Sequence, residues 1–182
     1  MKFNHLKGYE SVTLPTETID GKRYYTTPDG NHYPSVTSVT GLMNRKGIEA
    51  WRKWVGEEQA NKISSQAANR GTRYHYMMED FINNIDIDER LAKATPLDQM
   101  MFNQTREITE KLGDIYMLEG SLYSDELMMA GRVDCIADFA GKVSVIDFKT
   151  STKRKTSSRC KSYFVQETAY AKMFEERYQI PI

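Results

Sequence analysis

The chain has 182 residues, about the size of one ordinary domain, and its 40% hydrophobic and 27% charged content is that of a globular protein with no run long enough to span a membrane. Lys plus Arg and Asp plus Glu each number 25, so the net charge is zero and bulk charge argues against a general DNA coat. The two cysteines, Cys135 and Cys160, are too few for a disulfide framework or a four-thiolate cluster, and the polar start MKFNHLKGYE reads as no secretory leader, so a reducing, cytoplasmic setting is expected.

In chain order, residues 24–26 and 32–33 flank a Pro28-Asp29-Gly30 turn and predict a small hairpin. Ser35 is placed to cap a short helix running to Met43. Helix formers dominate 48–68, a break is expected at Asn69-Arg70-Gly71, and Thr72 then caps a second helix to about Asn83. After a polar loop, Thr95 and Pro96 supply the cap and first position of a helix reaching Leu112. The pattern then changes to period two: IYMLEGSLY, MAGRVDCIADF and KVSVIDFK read as three strands, the last two joined by a tight turn at Ala140-Gly141. SYFVQETAYAKMFEERY returns to helix, which Pro181 ends. Helices, a strand meander and a helix predict one α/β or α+β domain with a small sheet flanked by helices. It divides into a turn-rich part (1–45), a helical part (46–113) and a sheet-and-helix part (114–182).

The last hairpin carries the chemistry. With Ala140 and Gly141 as turn residues, Phe139 faces Lys142, and counting outward sets Asp134 directly opposite Asp147, with Cβ atoms roughly 4.5–5.5 Å apart. Like charges so placed repel, and a divalent cation is the obvious compensation. Lys149, two residues after Asp147, projects from the same face, as do Val143 and Val145. Two hard oxygen ligands beside a cationic side chain suit Mg²⁺ or Mn²⁺ acting on a phosphate, with Lys149 orienting the nucleophile or steadying the phosphate. A D-x-K hairpin alone is more often a surface turn with one Lys–Asp pair. Here the register and the residues that follow favour a site. The charge distribution agrees: residues 149–161 hold six basic side chains and no acid, whereas 79–90 hold five acids and one base.

GRVDCIAD, then VIDFKTS, then QETAY resemble the core of RecB-like PD-(D/E)XK nucleases, a restriction-endonuclease-like fold with a small mixed sheet flanked by helices. Upstream, RGTRYHYMMEDF resembles the G-T-x-x-H helix of that group, and YYTTPDGNHYPSVTSVTGLM with WRKWVGEEQANKIS resembles the mitochondrial and phage genome-maintenance exonucleases. The resemblance runs from about Tyr24 to Pro181. It implies that His75, Asp134, Asp147 and the carbonyl of Phe148 bind metal and that Lys149 is the catalytic lysine. Gln166 and Tyr170 match Q-x-x-x-Y, four apart on one helix face, and would contact DNA or support the site. Relatives usually continue with further strands, whereas this chain ends at Gln179-Ile180-Pro181-Ile182, as a fragment or a shortened variant would.

Around these, Glu79 is one turn from His75 and could hold its other ring nitrogen. Lys153 and Lys155, with Arg154 between them, follow Lys149 closely enough to touch phosphates, although such a stretch is as often a solvated loop. Glu119 is a minor candidate for the metal neighbourhood. Asp114, Asp125 and Asp138 read as solvated carboxylates. Trp51 and Trp54, three apart, read as core, and Met77, Met78, Met100 and Met101 as packing. The expected activity is a metal-dependent DNA exonuclease acting on single strands or free ends in genome maintenance, replication or recombination. Its expected form is a monomer, and its setting a phage protein in bacterial cytoplasm. A structure-selective endonuclease on the same core and a non-catalytic DNA-binding recombination accessory are the alternatives.

Overall fold

The computed structural model describes residues 2–182. Strands β1 (Thr16–Ile19), β2 (Lys22–Thr26) and β3 (His32–Pro34) form a small antiparallel sheet in that order. The expected hairpin is its second half, with Tyr25 paired to Tyr33 and Thr26 to His32. Strand β1 was not anticipated. Its two-residue Asp20-Gly21 turn, with both φ values positive (50° and 72°), is the ordinary signature of a tight hairpin.

Helix α1 (Val36–Val55) starts where expected, with the Ser35 side chain accepting the Ser38 N–H. It does not stop at Met43. It runs through Gly41 and Gly47 and ends at Gly56, whose φ of 86° no L-residue adopts easily. Helix α2 (Glu57–Ile82) is likewise continuous through Asn69-Arg70-Gly71, so Thr72 lies inside it rather than capping it. An isolated glycine lowers helix stability by only about 1 kcal/mol relative to alanine, which the flanking helix formers and the buried Tyr74, Met77 and Met78 offset. The polar loop contains a short helix, α3 (Asp88–Lys93). Helix α4 (Pro96–Thr109) has the expected Thr95 cap and Pro96 first turn but ends before Leu112, which opens a strand.

The second sheet comprises β4 (Leu112–Ser124), β5 (Met129–Phe139) and β6 (Lys142–Ile146) in the order β4-β5-β6. Both pairs are antiparallel, not mixed, because short turns between consecutive strands permit nothing else. Parallel contact is limited to isolated bridges, His5 to Ile115 and Ser35 to Ala130. After a 3-10 turn (Ser157–Cys160), helix α5 (Lys161–Tyr178) closes the structure. No helix among the described residues is long and apolar enough to cross a membrane. Cys135 and Cys160 are both free.

Two cores lie on opposite faces of this sheet. On one, Ile115, Cys135 and Ala137 pack with Tyr74, Met78 and Ile82 of α2 and Phe102 of α4. On the other, Met117, Leu122, Val133 and Ile136 pack with Ala169, Tyr170, Met173 and Phe174 of α5. Strict alternation would put Val133 with Cys135 and Met117 opposite Leu122. Neither holds. Both strands skip an alternation at the same level, between Met117 and Leu122 on β4 and between Val133 and Ile136 on β5, and β4 has a further irregularity between Ile115 and Met117. Glu119, with a φ of +49°, sits at the skip. Its neighbours Leu118 and Gly120 remain paired with Cys135 and Val133, so the register continues while the faces exchange.

Trp54 is not core: it is 83% exposed on the last turn of α1. Met100 is 49% exposed, whereas Met77 and Met78 are buried and Met101 packs against the first core. Helical spacing identifies a face but not whether a neighbour covers it.

Gly131 ties β5 to α5. A Cβ there would lie 2.7 Å from the hydroxyl oxygen of Tyr170 and 2.8 Å from its ring, and that ring is enclosed by the second core. Gly131→Ala should therefore cost about 1–3 kcal/mol, read from urea unfolding midpoints. Unchanged stability would contradict this packing.

Candidate functional site

The site forms where the two cores meet. From Phe139–Lys142 the β5–β6 ladder runs as expected as far as Cys135 paired with Ile146. The next pair, Asp134 with Asp147, does not join the ladder. The chain turns out of β6, and the Phe148 N–H donates instead to the Asp134 carboxylate (Oδ2, 2.7 Å). The Phe148 ring is buried edge-on to Tyr74 and His75, with centroids 6.4 Å away in each case.

Asp134 turns toward α2. Its Oδ2 is 3.6 Å from His75 Nδ1, and Oε1 of Glu119 is 3.7 Å from the same nitrogen. His75, Glu119 and Asp134 each present one ligand atom, all within 4.8 Å of one another. Both carboxylates are well covered, with side chains 12% and 15% exposed. The second oxygen of Glu119 lies 2.7 Å from Arg132 Nε.

Asp147 is 5% exposed and held from the α5 side. Its Oδ1 accepts from Gln166 Nε2 (3.1 Å) and pairs with Lys149 Nζ. Lys149 faces a 510 Å³ cavity also lined by Thr150, Lys153, Arg154, Lys155 and Tyr163. The Lys155 ammonium sits 4.4 Å above the Tyr163 ring and bonds its hydroxyl. Tyr170 is buried in the second core.

Glu79 does not hold His75. It lines a separate 320 Å³ cavity with His75, Glu119 and Arg132, and the carboxylates beside the imidazole are Glu119 and Asp134. Asp114, Asp125 and Asp138 stay outside the cluster and accept hydrogen bonds from Asn4, Tyr33 and Tyr116. Glu119 is the residue the sequence reading undervalued. The counting applied to the last hairpin works on the preceding one too: Ser124 pairs with Met129 across the loop, and the same register sets Glu119 across from Asp134.

The titration of these groups reflects burial together with the charges crowded beside them. Burial, then the charge of Asp147, pushes the Asp134 carboxyl up to about 6, against the opposing pull of His75, the Phe148 amide and Lys149. The Glu119 carboxylate, acting with Asp134 against burial, raises His75 above its ordinary value. Burial, and then Glu119, raises Glu79. Two covered carboxylates and an imidazole converging on one point form a group that could hold a metal ion.

No known family model matches the chain. The fold and site define a mixed α/β protein with a histidine–carboxylate cluster beside a lysine-lined cavity. Three curated relatives go further, all mitochondrial genome maintenance exonuclease 1. The human protein is 27% identical over 137 residues, covering 69% of this chain and 38% of its own length. That of Xenopus tropicalis is 26% identical over 165 residues, or 82% and 47%. That of mouse is 26% identical over 133 residues, or 66% and 38%. The chain is a distant relative of these exonucleases and spans less than half of their length.

Because Asp134 binds its proton more tightly in the folded chain than the ordinary 3.8 of an unfolded one, its favourable contribution is full below about pH 4 and is lost as pH rises through about 6. In chelator, Asp134→Asn should thus stabilise the protein by about 1–3 kcal/mol at pH 7.5 and by little at pH 4, measured as the difference in denaturant midpoint from wild type. A difference that does not change with pH would refute the crowding argument.

Proposed function

We propose that this chain is a divalent-metal-dependent DNA nuclease of the PD-(D/E)XK type, and that it removes nucleotides from single-stranded or free DNA ends. The observation that carries this reading is the convergence of His75, Glu119 and Asp134 beside the Asp147–Lys149 pair. The names of the curated relatives point the same way, to an exonuclease of genome maintenance.

His75, Glu119 and Asp134 would hold Mg²⁺ or Mn²⁺, with Asp147 and the Phe148 carbonyl as further ligands. When bound, the metal supplies Lewis-acid stabilisation of the charge that builds on the scissile phosphate. Lys149, kept in place by Asp147, reaches into the cavity where that phosphate would lie, and orients both it and the attacking water. Gln166 fixes Asp147 by its hydrogen bond, and Tyr170 holds α5 against β5 at Gly131. Lys153, Arg154 and Lys155 bring three positive charges to the same cavity, where they take neighbouring phosphates of the strand. Hydrolysis consumes one water and breaks one P–O bond, leaving a phosphate monoester on one fragment and a hydroxyl on the other.

The test is degradation of end-labelled linear and of circular single-stranded DNA in Mg²⁺, Mn²⁺ or EDTA. Loss of the linear strand, survival of the circle and silence in EDTA are expected. Cutting of the circle would make the protein an endonuclease, and metal-independent binding with no cleavage would make it an accessory factor. Lys149→Ala and Asp147→Asn should each lower turnover by about 10²-fold or more with the fold retained by circular dichroism. Wild-type turnover in either would refute the assignment.

A further inference from the structure

We propose that Arg132 is a positioning residue that presents Glu119 to the metal, an inference that rests on the metal-dependent reading above. Glu119 is the one non-glycine residue of β4 with a positive φ. Such a backbone costs a non-glycine residue about 1–2 kcal/mol and persists only when its surroundings fix it. Arg132 does the fixing. Its Nε donates to the backbone carbonyl of Glu119 (3.1 Å) and lies 2.7 Å from Oε2 of the same residue. One side chain thus grips both the backbone and the carboxylate of the residue where the strands exchange faces.

The grip also divides the labour between the two oxygens of Glu119. Oε2 belongs to Arg132, which leaves Oε1, 3.7 Å from His75 Nδ1, directed into the cluster. Without Arg132 the carboxylate could rotate, and the backbone at Glu119 could relax toward ordinary strand geometry. Either change would withdraw Oε1 from His75 and Asp134. Arg132 lies two residues before Asp134 on the same strand, so one short segment of β5 supplies a ligand and the support of a second one. An exposed ion pair would contribute little. Here Glu119 is 15% exposed and its partner 53%, so the contact is a covered carboxylate anchored from its rim.

The test is Mn²⁺ affinity, followed by the EPR signal of the free ion, in the full chain. Arg132→Ala should weaken binding by about tenfold, as loss of a residue supporting a ligand typically does. Arg132→Lys keeps the charge but replaces the planar guanidinium with a flexible ammonium and should lose several-fold. It carries the comparison if the alanine variant folds poorly. Cleavage by either variant should recover as Mn²⁺ is raised, with KM for DNA within about twofold of wild type. In a Glu119→Gln background, Arg132→Ala should cost no further affinity, since its effect runs through Glu119. Wild-type Mn²⁺ affinity in Arg132→Ala overturns the proposal, as does an equal loss in the Glu119→Gln background. A raised KM with unchanged metal affinity also overturns it and makes Arg132 a phosphate contact. If the wild-type chain itself takes no Mn²⁺, the metal reading fails and the role of Arg132 falls with it.

Discussion

The constraint on which this molecule turns is the gathering of three covered carboxylates at one level of a small sheet. Glu119, Asp134 and Asp147 are each withdrawn from water, which costs a polar group its solvation unless a partner replaces it. The chain gives each one a partner of its own: Arg132 for Glu119, the Phe148 amide for Asp134, Lys149 and Gln166 for Asp147. These partners make the arrangement foldable but do not cancel its cost: burial, and then the charge of Asp147, still raises the Asp134 carboxyl. A shared cation would complete the compensation, and that is the physical content of the proposed activity.

The same demand explains the irregularities of the sheet. A regular antiparallel ladder would send alternate side chains to opposite cores and bury the acids in apolar surroundings on one face or the other. Skipping an alternation on β4 and β5 together keeps apolar residues in both cores on either side of the skip, while Glu119 and Asp134 meet His75 on α2. Ending β6 at Ile146 does the equivalent for Asp147, which turns to α5 and Gln166. The long unbroken α2 is what brings His75 to this point, since its buried residues Tyr74, Met77 and Met78 clamp the helix to the sheet.

Much of this could be read in the chain because strand pairing is arithmetic. The turn at Ala140-Gly141 set the β5–β6 register, and the caps at Ser35 and Thr95 marked two helix starts. The same arithmetic applied to β4–β5 would have promoted Glu119. Its weakness as a signal is that a lone glutamate in a strand resembles any solvated one until its neighbours are placed. Asp20-Gly21 marks the turn that follows strand β1, but TETI is short and polar and gives the strand little signal of its own. Other features were not local properties at all. Whether Gly47, Gly56 or Gly71 ends a helix depends on the φ that the surrounding packing imposes, and only Gly56 takes a positive one. The exposure of Trp54 depends on tertiary arrangement: α2 meets the end of α1 through Arg52, which bonds Glu57 and Asn61, while the indole stays in solvent. The face exchange at Glu119 likewise requires both cores to be present before it has any meaning.

The central claim is that Glu119, Asp134 and His75 form one cation site and not three separately solvated groups. Isothermal titration of the chelated, desalted protein with Mn²⁺ at pH 7.5 tests it most directly. The account predicts saturable binding in the wild type, weakened about tenfold or more by Glu119→Gln, by Asp134→Asn and by His75→Ala alike. Absence of saturable binding, or a Glu119→Gln variant that binds as the wild type does, would contradict it.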